Sequence, residues 1–259
     1  MNNIITLTVN PAIDKSTTVD GIRPNSKLRC NIPIYEPGGG GINVSRVVQE
    51  LGGTSLCMYM AGGPTGTHLQ KQLTDLNIEQ QVIPISGWVR ENLAVTDTKN
   101  NEQYRFGMPG PIVEESEWKS ALIQLDTVLS ENDFLVASGS LCPGMPIDFF
   151  AQVSKIVKKN NAKYILDTSG EALIKGANEG VYLLKPNLGE LATLCGFEEI
   201  SYVELESVAK NFIKNNPCEI LVISMGPKGA MIVTNNEVTY IKAPIVFQKS
   251  TIGAGDSMV

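Results

Sequence analysis

The sequence predicts an α/β protein: a mostly parallel sheet covered by helices on both faces, with a small second sheet projecting from it. Three observations predict this. Short apolar runs rich in β-branched residues alternate with helical patterns along most of the chain. Most of these runs end in a polar or glycine-rich turn. Two segments, about 15–35 and 88–106, break the alternation with strand-like sequence and no helix between.

The elements follow in order. Ile4–Val9 reads as a strand by its β-branched content. Ile42, Val44, Val47, Val48 and Leu51 are spaced for one face of a helix ending at Gly52-Gly53. Leu56–Met60 reads as a strand and 67–76 as a helix. Phe134–Ala137, Tyr164–Asp167, Val181–Leu184 and Ile220–Ser224 read as buried strands, with helices over 149–159, 188–194 and 203–214. The two interrupting segments read as antiparallel strands, with Trp88–Asp97 pairing with Glu102–Phe106 across Lys99-Asn100-Asn101. They are expected to form a lid. So small an exposed sheet is only marginally stable alone, so it is expected to pack against a second copy of the chain.

A chain of 259 residues is long enough for one large core with this appendage, so a single domain over 1–259 is expected. Its 42% hydrophobic and 19% charged content is that of a soluble globular protein. A net charge of -6 argues against a nucleic-acid partner. Cysteines 30, 57, 142, 195 and 218 are odd in number and lack CxxC spacing, which predicts reduced thiols in a cytoplasm. The N-terminus runs straight into an apolar strand without a basic region and cleavage site, and no apolar run could span a bilayer.

Ligands of such sheets bind beyond the carboxyl ends of the strands, where Ser140, Asp167, Lys185, Ser224 and Gly226 fall. Thr251-Ile252-Gly253-Ala254-Gly255-Asp256 puts a carboxylate beside a glycine-rich turn whose N–H groups can converge on an anion. That is the equipment for moving a phosphoryl group onto a hydroxyl, although a plain helix start also accounts for Asp256. Pro37-Gly38-Gly39-Gly40-Gly41-Ile42-Asn43 opens a helix and lets backbone approach a ligand, against the alternative of a hinge. It fits neither the GxGxxG nor the GxxxxGK[ST] fingerprint. Asp14 suits two vicinal sugar hydroxyls, or serves a turn. Asn187 and Glu190 have the spacing of a capping pair, and equally that of groups organising a hydrated Mg²⁺. Ser224-Met225-Gly226-Pro227-Lys228-Gly229 reads as a hairpin turn or the wall of a nucleotide site. His68, the only histidine, supports neither a zinc site nor a Ser-His-Asp triad.

With these residues the chain resembles, over essentially its whole length, the ribokinase-like family of sugar kinases. The glycine run 38–43 looks like its N-terminal signature and 251–258 like its C-terminal one. Within the family the likeness is to the phosphosugar branch, nearest the minor bacterial 6-phosphofructokinase type. Lys27-Leu28-Arg29-Cys30, Tyr35-Glu36-Pro37, Glu102–Phe106, Ser138-Gly139-Ser140 and Lys185-Pro186-Asn187 carry it. The 1-phosphofructokinases and tagatose-6-phosphate kinases of that branch usually have lysine at the third glycine, where this chain has Gly40.

The resemblance implies a three-layer α/β/α sandwich with a small β lid, and ATP-dependent phosphorylation of the C1 hydroxyl of fructose 6-phosphate. Fructose 1-phosphate or tagatose 6-phosphate chemistry is the alternative. It implies Asp256 as general base, with the N–H groups of Gly253, Ala254 and Gly255 on the developing charge. Asp14, Gly38, Gly39 and Asn43 would hold the sugar and Arg90, Arg105 and Ser140 its existing phosphate, with Lys27, also on the substrate side, approaching the phosphates from the lid. Lys185, Asn187, Ser224, Gly226 and Gly229 would bind ATP. Asn187 and Glu190 would hold Mg²⁺ through water, and Ser250 and Ile252 a K⁺. Dimerisation through the lid is implied as well. Family chains continue past the aspartate, so a C-terminal segment beyond Val259 is expected to be missing; a sugar-phosphate or nucleotide binding protein without catalysis is then the reading of another class.

Overall fold

A computed structural model gives the fold and describes residues 3–244, 255 and 258. In chain order the elements are β1 (Ile4–Thr8), β2 (Ala12–Val19), β3 (Ile34–Gly38), α1 (Gly40–Glu50), β4 (Leu56–Ala61), α2 (Gly63–Asp75) and β5 (Glu79–Pro84). There follow β6 (Arg90–Asp97), β7 (Glu102–Phe106), α3 (Glu115–Val128), β8 (Phe134–Ser138), α4 (Phe149–Lys159), β9 (Lys163–Asp167) and α5 (Gly170–Glu179). The last are β10 (Val181–Leu184), α6 (Leu188–Cys195), α7 (Leu205–Asn215), β11 (Cys218–Ser224), β12 (Ala230–Val233) and β13 (Val238–Ile241).

The large sheet runs β13-β12-β11-β10-β9-β8-β1-β4-β5. Its strands from β5 to β11 are parallel, and the β12–β13 hairpin adds an antiparallel edge. Side chains alternate between two cores, as the pleat requires. On β4, Met58 and Met60 join the main core, where α3 to α7 pack; Cys57 and Tyr59 join Leu69 and Leu73 of α2. Val44 of α1 packs on Val136 and Ile165. Tyr59, Phe149 and Phe150 are among the largest fully buried side chains, each burial contributing about 1.5–3 kcal/mol.

The second sheet runs β3-β2-β6-β7. Both outer pairs are antiparallel, as expected, but the central β2–β6 pair is parallel, with Asp14 opposite Asn92. The sheet also takes in Ala12 and runs to Gly38, beyond the 15–35 span read from the sequence. The helix expected over 67–76 starts at Gly63, because Pro64 in its first turn fixes a helical φ where no N–H partner is needed. Helix α3 carries no expectation from the sequence, although Glu114 and Glu117 form a reciprocal capping box at its start.

All five cysteines are unpaired. Burial pushes the Cys57 thiol up to about 11 and those of Cys142 and Cys218 up to about 12. No helix of the described residues is long and apolar enough to cross a membrane.

Asp133 fastens the sheet before β8. It is 2% exposed, and its Oδ1 accepts from the Asn3 backbone N–H at 2.9 Å and Asn3 Nδ2 at 3.1 Å, while Oδ2 accepts from the Ser130 N–H at 3.0 Å. Asp133→Ala strands these donors and is expected to cost about 2–3 kcal/mol. The urea midpoint measures it; an unchanged midpoint would show that the clamp is dispensable.

Candidate active site

The glycine run joins the two sheets. Gly39 has φ of 119°, a left-handed conformation that favours glycine, and caps α1. Gly40 packs on the end of β8: a Cβ there would fall on Ser138 Oγ and lie 2.7 Å from the Ser138 Cβ. Gly38 packs on Asp14, where a Cβ would stand 2.6 Å from the carboxylate carbon. The run therefore brings the start of α1 against the C-terminal ends of the parallel strands.

A cleft of about 850 Å³ opens there between the small sheet and α1. Asp14, Gly39, Asn43 and Arg105 line it together with Asn92 and Arg46. Asp14 is half-buried, and its Oδ1 accepts from Asn92 Nδ2 at 2.8 Å. Asn92 is in turn fixed by the Met108 N–H donating to its Oδ1 at 3.0 Å. Arg46 secures the cleft wall by donating to the Pro37 carbonyl at 3.2 Å and pairing with Glu36 at 3.1 Å.

Arg90 and Ser140 stand at one end of the site, outside the cleft lining. Arg90 is half-buried and donates from Nη1 to the Met108 carbonyl at 3.0 Å and from Nη2 to the Asn10 carbonyl at 3.1 Å. Its Nε is buried without a partner among the described residues. Burial lowers its pKa from the ordinary arginine value, against the attraction of Cys142 and Asp14. Ser140 is exposed after β8 and accepts from Asn10 Nδ2 at 3.1 Å. Lys27 is exposed between β2 and β3 and does not line the cleft.

The strand ends β8 to β11 form a second group. Lys185 is 6% exposed and pairs with Asp167 at 3.2 Å, and Ser138 Oγ donates to Asp167 Oδ2 at 3.3 Å. Gly255, the described member of the C-terminal glycine turn, lies beside this lysine; a Cβ on it would be 3.8 Å from Lys185 Nζ. Asn187 and Glu190 cap α6 reciprocally, each backbone N–H donating to the other's side chain at 2.9 Å. Among the described residues no group of three His, Cys, Asp or Glu could hold a metal. The donor set at α6 is thus one amide and one carboxylate, which fits an ion that keeps most of its waters. Ser224 bonds through its N–H to the Pro186 carbonyl at 3.0 Å. Gly226 and Gly229 bound the following turn with φ of 58° and 98°. Ser250, Ile252, Gly253, Ala254 and Asp256 lie outside the described residues.

A family profile described as "pfkB family carbohydrate kinase" matches residues 4–259. The chain belongs to the pfkB family of carbohydrate kinases. This pfkB kinase is 40% identical over 256 residues to the ATP-dependent 6-phosphofructokinase isozyme 2 of Mycobacterium tuberculosis, covering 99% of this chain and 75% of that one. To the 1-phosphofructokinase of Bacillus subtilis the identity is 30%, with coverage of 99% and 83%. The crystal structure of Escherichia coli phosphofructokinase-2 in complex with fructose-6-phosphate superposes with a TM-score of 0.94 at 38% identity, covering 100% of this chain and 84% of that one. The E. coli protein has also been solved in complex with potassium. The pfkB kinase accordingly has the ribokinase-like architecture and is a sugar phosphotransferase.

Three residues beside the expected set do work here: Asn92 orients Asp14, Asp167 holds Lys185, and Asn10 touches Ser140. Asp167 was legible as a strand-end carboxylate; Asn92 had no sequence signal, since its position follows from a parallel pairing.

Proposed function

We propose that this kinase transfers the γ-phosphoryl group of ATP to the C1 hydroxyl of fructose 6-phosphate, giving fructose 1,6-bisphosphate in glycolysis. The carrying observation is Gly40 packed on Ser138: no side chain fits there without displacing β8. The lysine usual in the sister phosphosugar kinases at this position has no room, and the higher identity to isozyme 2 than to the 1-phosphofructokinase points the same way.

In this reading the sugar lies in the cleft, its hydroxyls on Asp14, Gly38, Gly39 and Asn43. Arg90, Arg105 and Ser140 take the existing phosphate, arginine being suited to bidentate contact with it, and Lys27 approaches the phosphates from the lid. ATP lies along Lys185, Asn187, Ser224, Gly226 and Gly229. Lys185 is already held in place by Asp167, so its ammonium meets the phosphates without reorganisation. Asp256 removes the hydroxyl proton while the N–H groups of Gly253, Ala254 and Gly255 hold the charge developing on the phosphoryl oxygens. Asn187 and Glu190 would hold Mg²⁺ through water, which supplies neutralising charge on the phosphates, and Ser250 and Ile252 a K⁺. Exposed Ile32, Ile34 and Phe106, at 93%, 63% and 49% exposure, give the small sheet an apolar surface for homodimerisation. The five unpaired thiols fit a cytoplasmic protein.

ADP release measured with ATP, Mg²⁺ and each of fructose 6-phosphate, fructose 1-phosphate and tagatose 6-phosphate tests the reading. The highest kcat/KM is expected with fructose 6-phosphate. A preference for either other sugar would overturn the substrate assignment, and saturable binding without ADP release would make the chain a binding protein.

A further inference from the structure

Asn10 sits in the turn between β1 and β2 and is 5% exposed. Its Nδ2 donates to two acceptors on the segment after β8: Ser140 Oγ at 3.1 Å and the Leu141 carbonyl at 3.1 Å. The Leu141 carbonyl can only accept, so the amide orientation is determined and Nδ2 must face that segment. Gly110 closes the other side; a Cβ there would lie 2.8 Å from the Asn10 amide carbon. The main-chain carbonyl of the same residue accepts from Arg90 Nη2 at 3.1 Å. One residue therefore touches both groups placed at the phosphate end of the site and joins its own turn to two other parts of the chain, the segment after β8 and the start of β6.

The contact to Ser140 has a directional result. A hydroxyl oxygen that accepts from Asn10 Nδ2 has its own proton free to point elsewhere, and Ser140 is exposed. Asn10 thus presents Ser140 as a donor, the polarity that a phosphate oxygen requires. We propose that Asn10 is the positioning residue of the sugar-phosphate subsite, setting Ser140 as a hydrogen-bond donor beside Arg90. The inference rests on the phosphosugar reading above but not on which phosphosugar is used, because only the phosphate is concerned.

Steady-state kinetics of the native chain, Asn10→Ala, Ser140→Ala, the double variant and Asn10→Asp test it, with whichever of the three phosphosugars the native chain turns over. Asn10→Ala keeps the backbone carbonyl on Arg90 and removes the side-chain bonds to Ser140 and to the neighbouring Leu141 carbonyl. It is expected to raise the phosphosugar KM about tenfold, the scale of one hydrogen bond, with kcat and the KM for ATP within about twofold. The double variant should be no worse than Ser140→Ala alone, since Asn10 acts through that serine. Asn10→Asp is nearly isosteric, and its carboxylate would accept the Ser140 proton and repel the phosphate; its KM should exceed that of Asn10→Ala by about another tenfold. The inference is overturned by a phosphosugar KM unchanged in Asn10→Ala, by an equal rise in both KM values, or by penalties that add in the double variant. Should Asn10→Ala not fold, Asn10→Asp decides: a KM at or below the native value sinks the proposal. A native chain that turns over none of the three sugars would instead refute the phosphosugar reading, and this inference with it.

Discussion

Asp256→Asn is expected to lower kcat by about 10²–10⁴, the contribution of a positioned general base. The amide keeps the size and some of the hydrogen-bonding capacity of the carboxylate but cannot take the proton from the sugar hydroxyl as a phosphoryl bond forms. Both KM values should stay within a few-fold, because the sugar and nucleotide contacts assigned above lie on other residues. The expectation rests on the sequence of the turn and on its described member: Gly255 stands beside Lys185, and Lys185 stands at the strand ends on Asp167. Single-turnover phosphoryl transfer, followed by quenching, measures the chemical step apart from product release. A variant that retains native turnover would remove Asp256 from the mechanism and leave the glycine turn as a binding element only.

Asp14→Ala is expected to lower kcat/KM by about 10²–10³, with stability little changed. A carboxylate receiving two sugar hydroxyls makes two charge-assisted hydrogen bonds, each worth about 1.5–3 kcal/mol. Part of that interaction is already organised in the free protein, because Asn92 Nδ2 donates to Oδ1 at 2.8 Å and fixes the carboxylate at the cleft. Asp14→Asn should fall between, keeping an acceptor and losing the charge. Calorimetric titration with fructose 6-phosphate in the absence of nucleotide reads the same loss directly. An Asp14→Ala variant that binds the sugar with native affinity would show that the carboxylate serves only the sheet, as the turn reading of this residue would have it.

The architecture was legible because it is repeated locally. A strand of a parallel sheet buried on both faces is a short apolar run, a covering helix carries one apolar stripe, and the alternation of the two needs no long-range information. The strand-end position of Ser140, Lys185 and Ser224 followed from the same pattern, whereas Asp14, read as following the first strand, lies within β2 of the small sheet. Pairing direction did not. Residues 12–19 have the same period-two character whether their neighbour runs with or against them, so the parallel β2–β6 pair was not readable. Asn92 was lost with it, as was the role of Asn10, whose bond to Ser140 spans 130 residues. Asn187 and Glu190 were readable in two ways, and the structure contains the capping pair; metal chemistry at the same two side chains leaves no separate mark in the spacing.

The parallel centre of the small sheet also bears on how the molecule assembles. Strand β2 emerges early from synthesis, yet Asp14 meets Asn92 only after 78 further residues have been added. Closing so long a loop carries an entropic cost that no local contact offsets beforehand, so such pairings form late. The β1–β4 part of the large sheet closes a shorter loop, with Ile5 opposite Leu56. The β2–β6 centre of the small sheet is therefore expected to become ordered after the β1–β4 pair, and until then β2 and β3 are a hairpin with open edges. Recovery of sugar binding behind recovery of the β1–β4 pairing is the kinetic signature this topology writes into refolding.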